Sequence, residues 1–195
     1  MYTVIGTTRS RAARVIWMLE ELGQPYEHIP ARPHSPEILA HSPAGKLPAL
    51  LVDGAVLTDS TAILTYLADH HQALTFAPGT LGRARQDGLT NQILDEFESL
   101  LWTAARHSFV LPDAERVPVI RPSLMAEFSR NQARFAAQMG EGPFLMGEPM
   151  TLADILLAHT LLWAQAANFP PLEPRLTEYL DRLTMRPAYT RAMAR

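Results

Sequence analysis

The chain has 195 residues, of which 47% are hydrophobic and 19% charged, with a formal net charge of -3 and no cysteine. That composition excludes structural disulfides, thiolate metal sites and a cysteine nucleophile, and the scattered arginines leave no basic footprint for nucleic acid. No secretory leader pattern opens the sequence and no apolar run is long enough to span a membrane, so a cytoplasmic location is expected.

Tyr2 to Ile5 reads as a strand ending at Gly6. Arg11 to Leu22 reads as a helix, with Ala12, Val15, Ile16, Leu19 and Leu22 at helical spacing and Gly23 as its stop. Pro25 to Ile29 is a second strand and Ser35 to Ala40 a short helix. The segment "ALLV", the turn Asp53-Gly54 and "AVL" form a hairpin, and "DSTAILTYLADHH" is a helix whose last two histidines suit a negative helix end. The order βαβ, helix, ββα predicts one sheet of about four strands, its first two parallel and the hairpin antiparallel. Residues 72 to 80 read as a linker punctuated by Pro78-Gly79.

Only helical patterns follow: Leu81 to about Arg106, Ser123 to Met139, a helix opened by Thr151, then Pro174 to Leu183 and Pro187 to Met193. Thr151 and Asp154 stand at capping-box spacing, flanked by Met150 and Ile155 at staple positions. The expected division is 1–73 as a mixed α/β domain and 80–195 as an all-α domain.

Three features can carry chemistry. Thr7, Thr8, Arg9 and Ser10 crowd the turn from first strand to first helix, as N-caps or as groups that hold a ligand's charge. Pro48 stands directly before a strand, either as a simple strand start or as a cis residue that leaves the Leu47 backbone to pair elsewhere. Asp59 and Ser60 open a helix, as a cap or as an anion site that also accepts an ammonium. The seven histidines show no metal-ligand spacing.

Taken together, "VIWMLEELGQPYE", "GKLPAL", "DSTAILTYLA", "TLADI" and "RPAYTRA" resemble, in that order, segments of the glutathione S-transferases. The resemblance spans the chain and is to the bacterial type. It implies a thioredoxin-like N-terminal domain, an all-α C-terminal domain, and a detoxifying homodimer that uses glutathione as co-substrate without a metal.

By position, the resemblance assigns the γ-glutamyl end to Asp59 and Ser60, the cysteinyl backbone to Leu47 before Pro48, and peptide carboxylates to Lys46 and His34. A loop residue would stabilise the thiolate, by a hydroxyl or, for Arg9, by its charge, in the order Ser10, Thr8, Arg9, Thr7. Arg9 occupies the position where many relatives keep the catalytic side chain, a departure from the family pattern. A small apolar electrophile is expected between the domains, near Trp102, Arg106, Trp163 and Phe169. Peroxide reduction is a further implied activity. Alternatives are a non-catalytic binding or interaction protein of the same fold, and a glutathione-dependent isomerase or disulfide reductase. The loop "TTRSRA" does not match the Ser-Ser-Cys loop of isomerase-type relatives.

Overall fold

The computed structural model describes residues 1–195. Its contacts divide the chain into two compact units, one of residues 1–83 with 182–195 and one of residues 84–181. The last fourteen residues therefore belong with the first unit, a grouping that sequence order does not reveal.

The first unit is built on strands β1 (Tyr2–Ile5), β2 (Tyr26–Ile29), β3 (Ala49–Val52) and β4 (Ala55–Thr58), in sheet order β2-β1-β3-β4. β1 runs parallel to β2 and antiparallel to β3, and β3 pairs with β4 through the Asp53-Gly54 turn. The sheet is therefore the expected one. Helix α1 (Ala12–Glu21) is buried continuously from Ala12 to Leu19, more than a one-sided amphipathic pattern implies. Helix α2 (Pro36–Leu39) sends Ile38 into a small core with Ile5, Ala31 and Ala49, and Leu47 packs against it. Helix α3 (Ser60–His71) follows β4.

His71 also reaches back to the first strand. Its Nε2 lies 2.9 Å from the Tyr2 hydroxyl, and burial and the neighbouring His70 push its pKa below the ordinary value. The neutral imidazole is the better partner for a phenol hydrogen bond. Farther along, Asp69 and Arg83 pair through both oxygens and both terminal guanidinium nitrogens at 2.6 and 3.2 Å.

In the helical unit, α4 (Leu81–Ile93, from Ala84 onward) continues through a π-type turn into α5 (Ser99–Ala105) and a second π-type turn ending at Val110. Helices α6 (Arg121–Gln138) and α7 (Leu152–Ala166) follow, and α8 (Pro174–Thr184) lies in this unit up to Asp181. Its core is an edge-to-face aromatic chain: Phe97 meets Phe128 and Phe135, and Phe128 meets Phe169, with centroids 5.3 to 5.5 Å apart. Asp154 is fully buried. Its carboxylate accepts hydrogen bonds from the Thr151 N–H and hydroxyl, the Leu145 N–H and the Tyr179 hydroxyl. Burial pushes its pKa up while those donors pull it down. One side chain thus closes the capping box, pins the loop before α7 and ties α7 to α8.

Helix α9 (Pro187–Met193) packs on α1, with Tyr189 edge-on to Trp17 at 5.0 Å. Arg186 clasps Glu21 at 2.6 and 2.7 Å, and Glu20 accepts from Arg191 and Arg195. Desolvation raises the Glu20 pKa, but the Arg191, Tyr26 and Arg195 hydrogen bonds outweigh it and leave the pKa lowered. A depressed carboxylate pKa adds stability above its unfolded value and loses it as pH falls through the folded one.

Two outcomes follow from this packing. The melting-temperature gap between wild type and Glu20→Gln is full above about pH 5 and closes as the pH is lowered past the ordinary glutamate value. Asp154→Ala strands several buried donors and lowers stability by about 3 kcal/mol or more in denaturant titration.

Candidate active site

The sheet register gathers the candidate residues at one end. Ile5 pairs with Ala49, and Ala49 pairs with Thr58. The next residue of β1, the residue before β3 and the residue after β4 therefore leave the same edge: Gly6, Pro48 and Asp59. Three segments far apart in sequence meet because their strands are neighbours.

Gly6 fixes how closely they meet. Its φ is +143°, and a Cβ there would fall 2.7 Å from the Ala12 Cβ and 3.5 Å from the Leu47 Cβ. Only a hydrogen fits against Ala12 at the start of α1, while Leu47 would stand at ordinary contact distance. The Gly6 N–H donates to the Ile29 carbonyl, and His28 Nε2–H donates to the Gly6 carbonyl at 2.7 Å. Backbone polarity is thus satisfied on both sides of the approach.

The turn that follows has a defined hydrogen-bond economy. The Ser10 hydroxyl donates to the Thr7 carbonyl at 2.7 Å and accepts from the Ala12 N–H at 3.2 Å. Ser10 is therefore the clip that closes the turn and caps α1, and its single proton is engaged. Thr7 Oγ1 accepts from the Arg9 N–H at 3.3 Å. The half-buried Thr8 hydroxyl has no partner within the chain, and the Arg9 side chain is exposed.

The Leu47–Pro48 bond is cis, the second of the two alternatives that Pro48 allowed. No chain hydrogen bond engages the Leu47 backbone, because the β1–β3 ladder begins only at Ala49. An extended peptide can pair with that exposed edge by main-chain bonds. Two loops meet beside it. The His34 N–H donates to the Gly45 carbonyl at 2.8 Å, and a Cβ on Gly45 would meet His34 Nδ1 at 2.3 Å. Gly45 thus lets His34 lie against the loop that carries Lys46, and both side chains are exposed cations or potential cations.

Asp59 has φ +67° and ψ +119°, a conformation that a non-glycine residue adopts only under constraint. Its Oδ1 accepts from the Thr61 and Ala62 N–H groups at 2.9 and 3.0 Å. That caps α3 and leaves Oδ2 on an exposed side chain. Ser60 is buried beside it. The cap and ligand readings of Asp59 are therefore compatible, one oxygen serving each.

Sequence reasoning missed Arg14. It is completely buried in α1, and its Nη1 donates to the Ser60 hydroxyl at 3.2 Å. The available signal was a lone arginine inside the apolar stretch "AARVIWML", a place where an unshared charge is not tolerated.

The second-half candidates are not alike. Phe169 is 7% exposed and packs edge-on to Phe128, with the Arg121 guanidinium 5.3 Å above its ring, so it is a core residue of the helical unit. Trp102 and Trp163 are half-buried, and Arg106 is exposed. A cavity of about 350 Å³ adjoins Arg106 and is lined by His107, Ser108, Arg116 and Arg121 among others, but by none of the four candidates. No group of three or more His, Asp or Glu side chains is arranged to hold a metal ion.

Residues 5–75 match the model of the glutathione S-transferase N-terminal domain, and residues 82–182 match that of its C-terminal domain. The chain belongs to the glutathione S-transferase family. It is similar to glutathione S-transferase GstA of Escherichia coli O157:H7, 26% identical over 163 residues, covering 81% of this chain and 77% of that one. It is 30% identical over 160 residues to a maleylacetoacetate isomerase of Rhizobium meliloti, covering 76% and 74%. The theta-class glutathione S-transferase of Xanthomonas axonopodis pv. citri, solved with glutathione bound, superposes with a TM-score of 0.79 at 25% identity, covering 100% of this chain and 97% of that chain. Family membership accounts for the four-stranded sheet, the helical C-terminal half and the order of the motifs.

Gly6→Ala is expected to destabilise the chain by roughly 2 kcal/mol, because the added methyl overlaps Ala12 at the start of α1 and stands on a positive φ. The loss is read as a lower denaturant midpoint with an unchanged slope.

Proposed function

We propose that the chain is a glutathione transferase that activates the thiol of glutathione for attack on small apolar electrophiles. The observation that carries this reading is the shared sheet edge. The unengaged Leu47 backbone, the Asp59–Ser60 helix start and the Thr7–Ser10 turn converge there within one unit. In this reading Asp59 Oδ2 takes the γ-glutamyl ammonium and Ser60 the adjoining carboxylate. Leu47 pairs with the cysteinyl backbone beside Pro48, and Lys46 and His34 draw the glycyl carboxylate. The sulfur then lies against the turn before α1.

A thiol with a pKa near 8.5 is only a few per cent ionised at neutral pH, and lowering that value by about two units takes about 2.7 kcal/mol of preferential thiolate stabilisation. Thr8 is the strongest hydroxyl donor for this work. Ser10 would have to abandon its bond to the Thr7 carbonyl, whereas the Thr8 proton is uncommitted. Arg9 adds positive charge at the same turn, and the α1 dipole acts in the same direction. Thr7 completes the loop. Trp102, Arg106 and Trp163 are the proposed contacts of the second substrate. Glutathione is the co-substrate, and hydroperoxide reduction uses the same thiolate. A two-fold dimer in the cytoplasm is the proposed working form.

One observation favours a second reading. The Rhizobium meliloti relative, at 30% identity, is a maleylacetoacetate isomerase, and glutathione-dependent isomerisation needs the same binding edge.

The test is turnover of an activated aryl halide and of a hydroperoxide by wild type, Thr8→Val, Ser10→Ala and Arg9→Ala. Thr8→Val should lower kcat/KM about ten- to a hundredfold and raise the pH at which bound thiolate absorbance appears. Ser10→Ala should act mainly on melting temperature. Wild-type inactivity across a broad electrophile panel, with no saturable glutathione binding at millimolar ligand, would sink the proposal and leave a fold-sharing interaction module.

A further inference from the structure

We propose that Arg14 is a positioning residue that makes Ser60 a directed donor for the α-carboxylate of a γ-glutamyl ligand. The buried Arg14–Ser60 bond then selects the zwitterionic end of the peptide. The inference rests on the glutathione reading above.

The argument begins with hydroxyl geometry. A serine oxygen has two lone pairs and one proton. Arg14 Nη1 donates to Ser60 Oγ at 3.2 Å, so one lone pair faces the guanidinium and the proton is turned away from it. No acceptor within the chain takes that proton. A hydroxyl that accepts from a cation is also a stronger donor through its own O–H, since successive hydrogen bonds polarise one another.

The surrounding groups sort the ligand's charges. Asp59 Oδ1 already takes the Thr61 and Ala62 N–H groups, which removes those two helix donors from an incoming anion. The donors left at this helix start are the Ser60 N–H and the Ser60 O–H. Arg14 is completely buried beneath them, and its guanidinium fixes the side on which the Ser60 oxygen accepts. Asp59 Oδ2 is the negative group one residue away. Asp59 Oδ2 and the Ser60 O–H thus present an acceptor for an ammonium and a donor for a carboxylate on successive residues, the two groups of an α-amino acid. An anion alone or a cation alone satisfies only half of that arrangement.

The same bond has a structural reach, since it ties the first turn of α1 to the start of α3. The test therefore reads ligand discrimination as well as stability. Three peptides serve as calorimetric probes: glutathione, its analogue lacking the α-carboxylate (4-aminobutyryl-Cys-Gly), and its analogue lacking the amine (glutaryl-Cys-Gly).

Wild type should bind glutathione about ten- to a hundredfold tighter than 4-aminobutyryl-Cys-Gly, the range for one hydrogen bond to a charged group. Arg14→Met should weaken glutathione and glutaryl-Cys-Gly by a similar factor. It should leave the affinity for 4-aminobutyryl-Cys-Gly nearly unchanged, so that the preference collapses. Ser60→Ala combined with Arg14→Met should be little worse than either alone, the mark of one pathway. Arg14→Lys keeps the charge in case Arg14→Met fails to fold. It should raise KM for glutathione severalfold with kcat retained. An Arg14 variant that melts cooperatively and keeps the wild-type preference for the α-carboxylate overturns the inference. Wild type that binds none of the three probes overturns the glutathione reading itself, and this one with it.

Discussion

The close approach at Gly6 is the constraint on which the candidate site depends. A Cβ there would lie 2.7 Å from the Ala12 Cβ, so only glycine lets the chain leaving the first strand pack against the start of α1 while the Leu47 side chain touches its other side at ordinary contact distance. Any side chain there pushes the start of α1 away. Once that contact is held, the register from Ile5 through Ala49 to Thr58 delivers the third segment, Asp59–Ser60, to the same edge. The site is therefore a product of sheet order more than of any single motif.

Around that approach, polar groups do double duty. Ser10 clips a turn and caps a helix with one hydroxyl. Asp59 caps α3 with one carboxylate oxygen and leaves the other exposed. Asp154, in the helical unit, takes four donors on two oxygens and holds a loop and two helices. Ser10 and Asp154 follow one rule, that a buried or half-buried polar atom is tolerable when it is hydrogen-bonded, whereas the exposed Asp59 can leave an oxygen over. The rule also separates structural hydroxyls from available ones. Within the turn after β1 it sets Ser10 apart from Thr8, two residues that look equivalent as letters.

Much of this was legible in the sequence, for identifiable reasons. Alternating and helical periodicities report which residues must be buried, so the strands, most helices and the Asp53-Gly54 hairpin could be read directly. Thr151 and Asp154 stood at capping-box spacing because a helix start is a local problem with a local solution. The helix beginning near Leu81 was legible in type, but its two π-type turns were not, since they depend on how each side chain seats in the core. The helix-end pattern at His71 showed a cation-capable residue but not its contact. Its partner Tyr2 is 69 residues away, and nothing local signals that contact.

The sequence by itself determined the family, the order of elements and the segments that carry the candidate site, because these rest on local pattern and on motifs of contiguous residues. Only the tertiary structure decided which groups are already occupied. It turned Phe169 into a core residue and Ser10 into a turn clip. It brought residues 182–195 to the first unit through Tyr189 on Trp17 and the arginine clasps on Glu20 and Glu21. It placed Arg14 under Ser60, across 46 residues. Charge pairing and hydrogen-bond saturation are set by distance in space, and a linear string carries that distance only after the chain has folded.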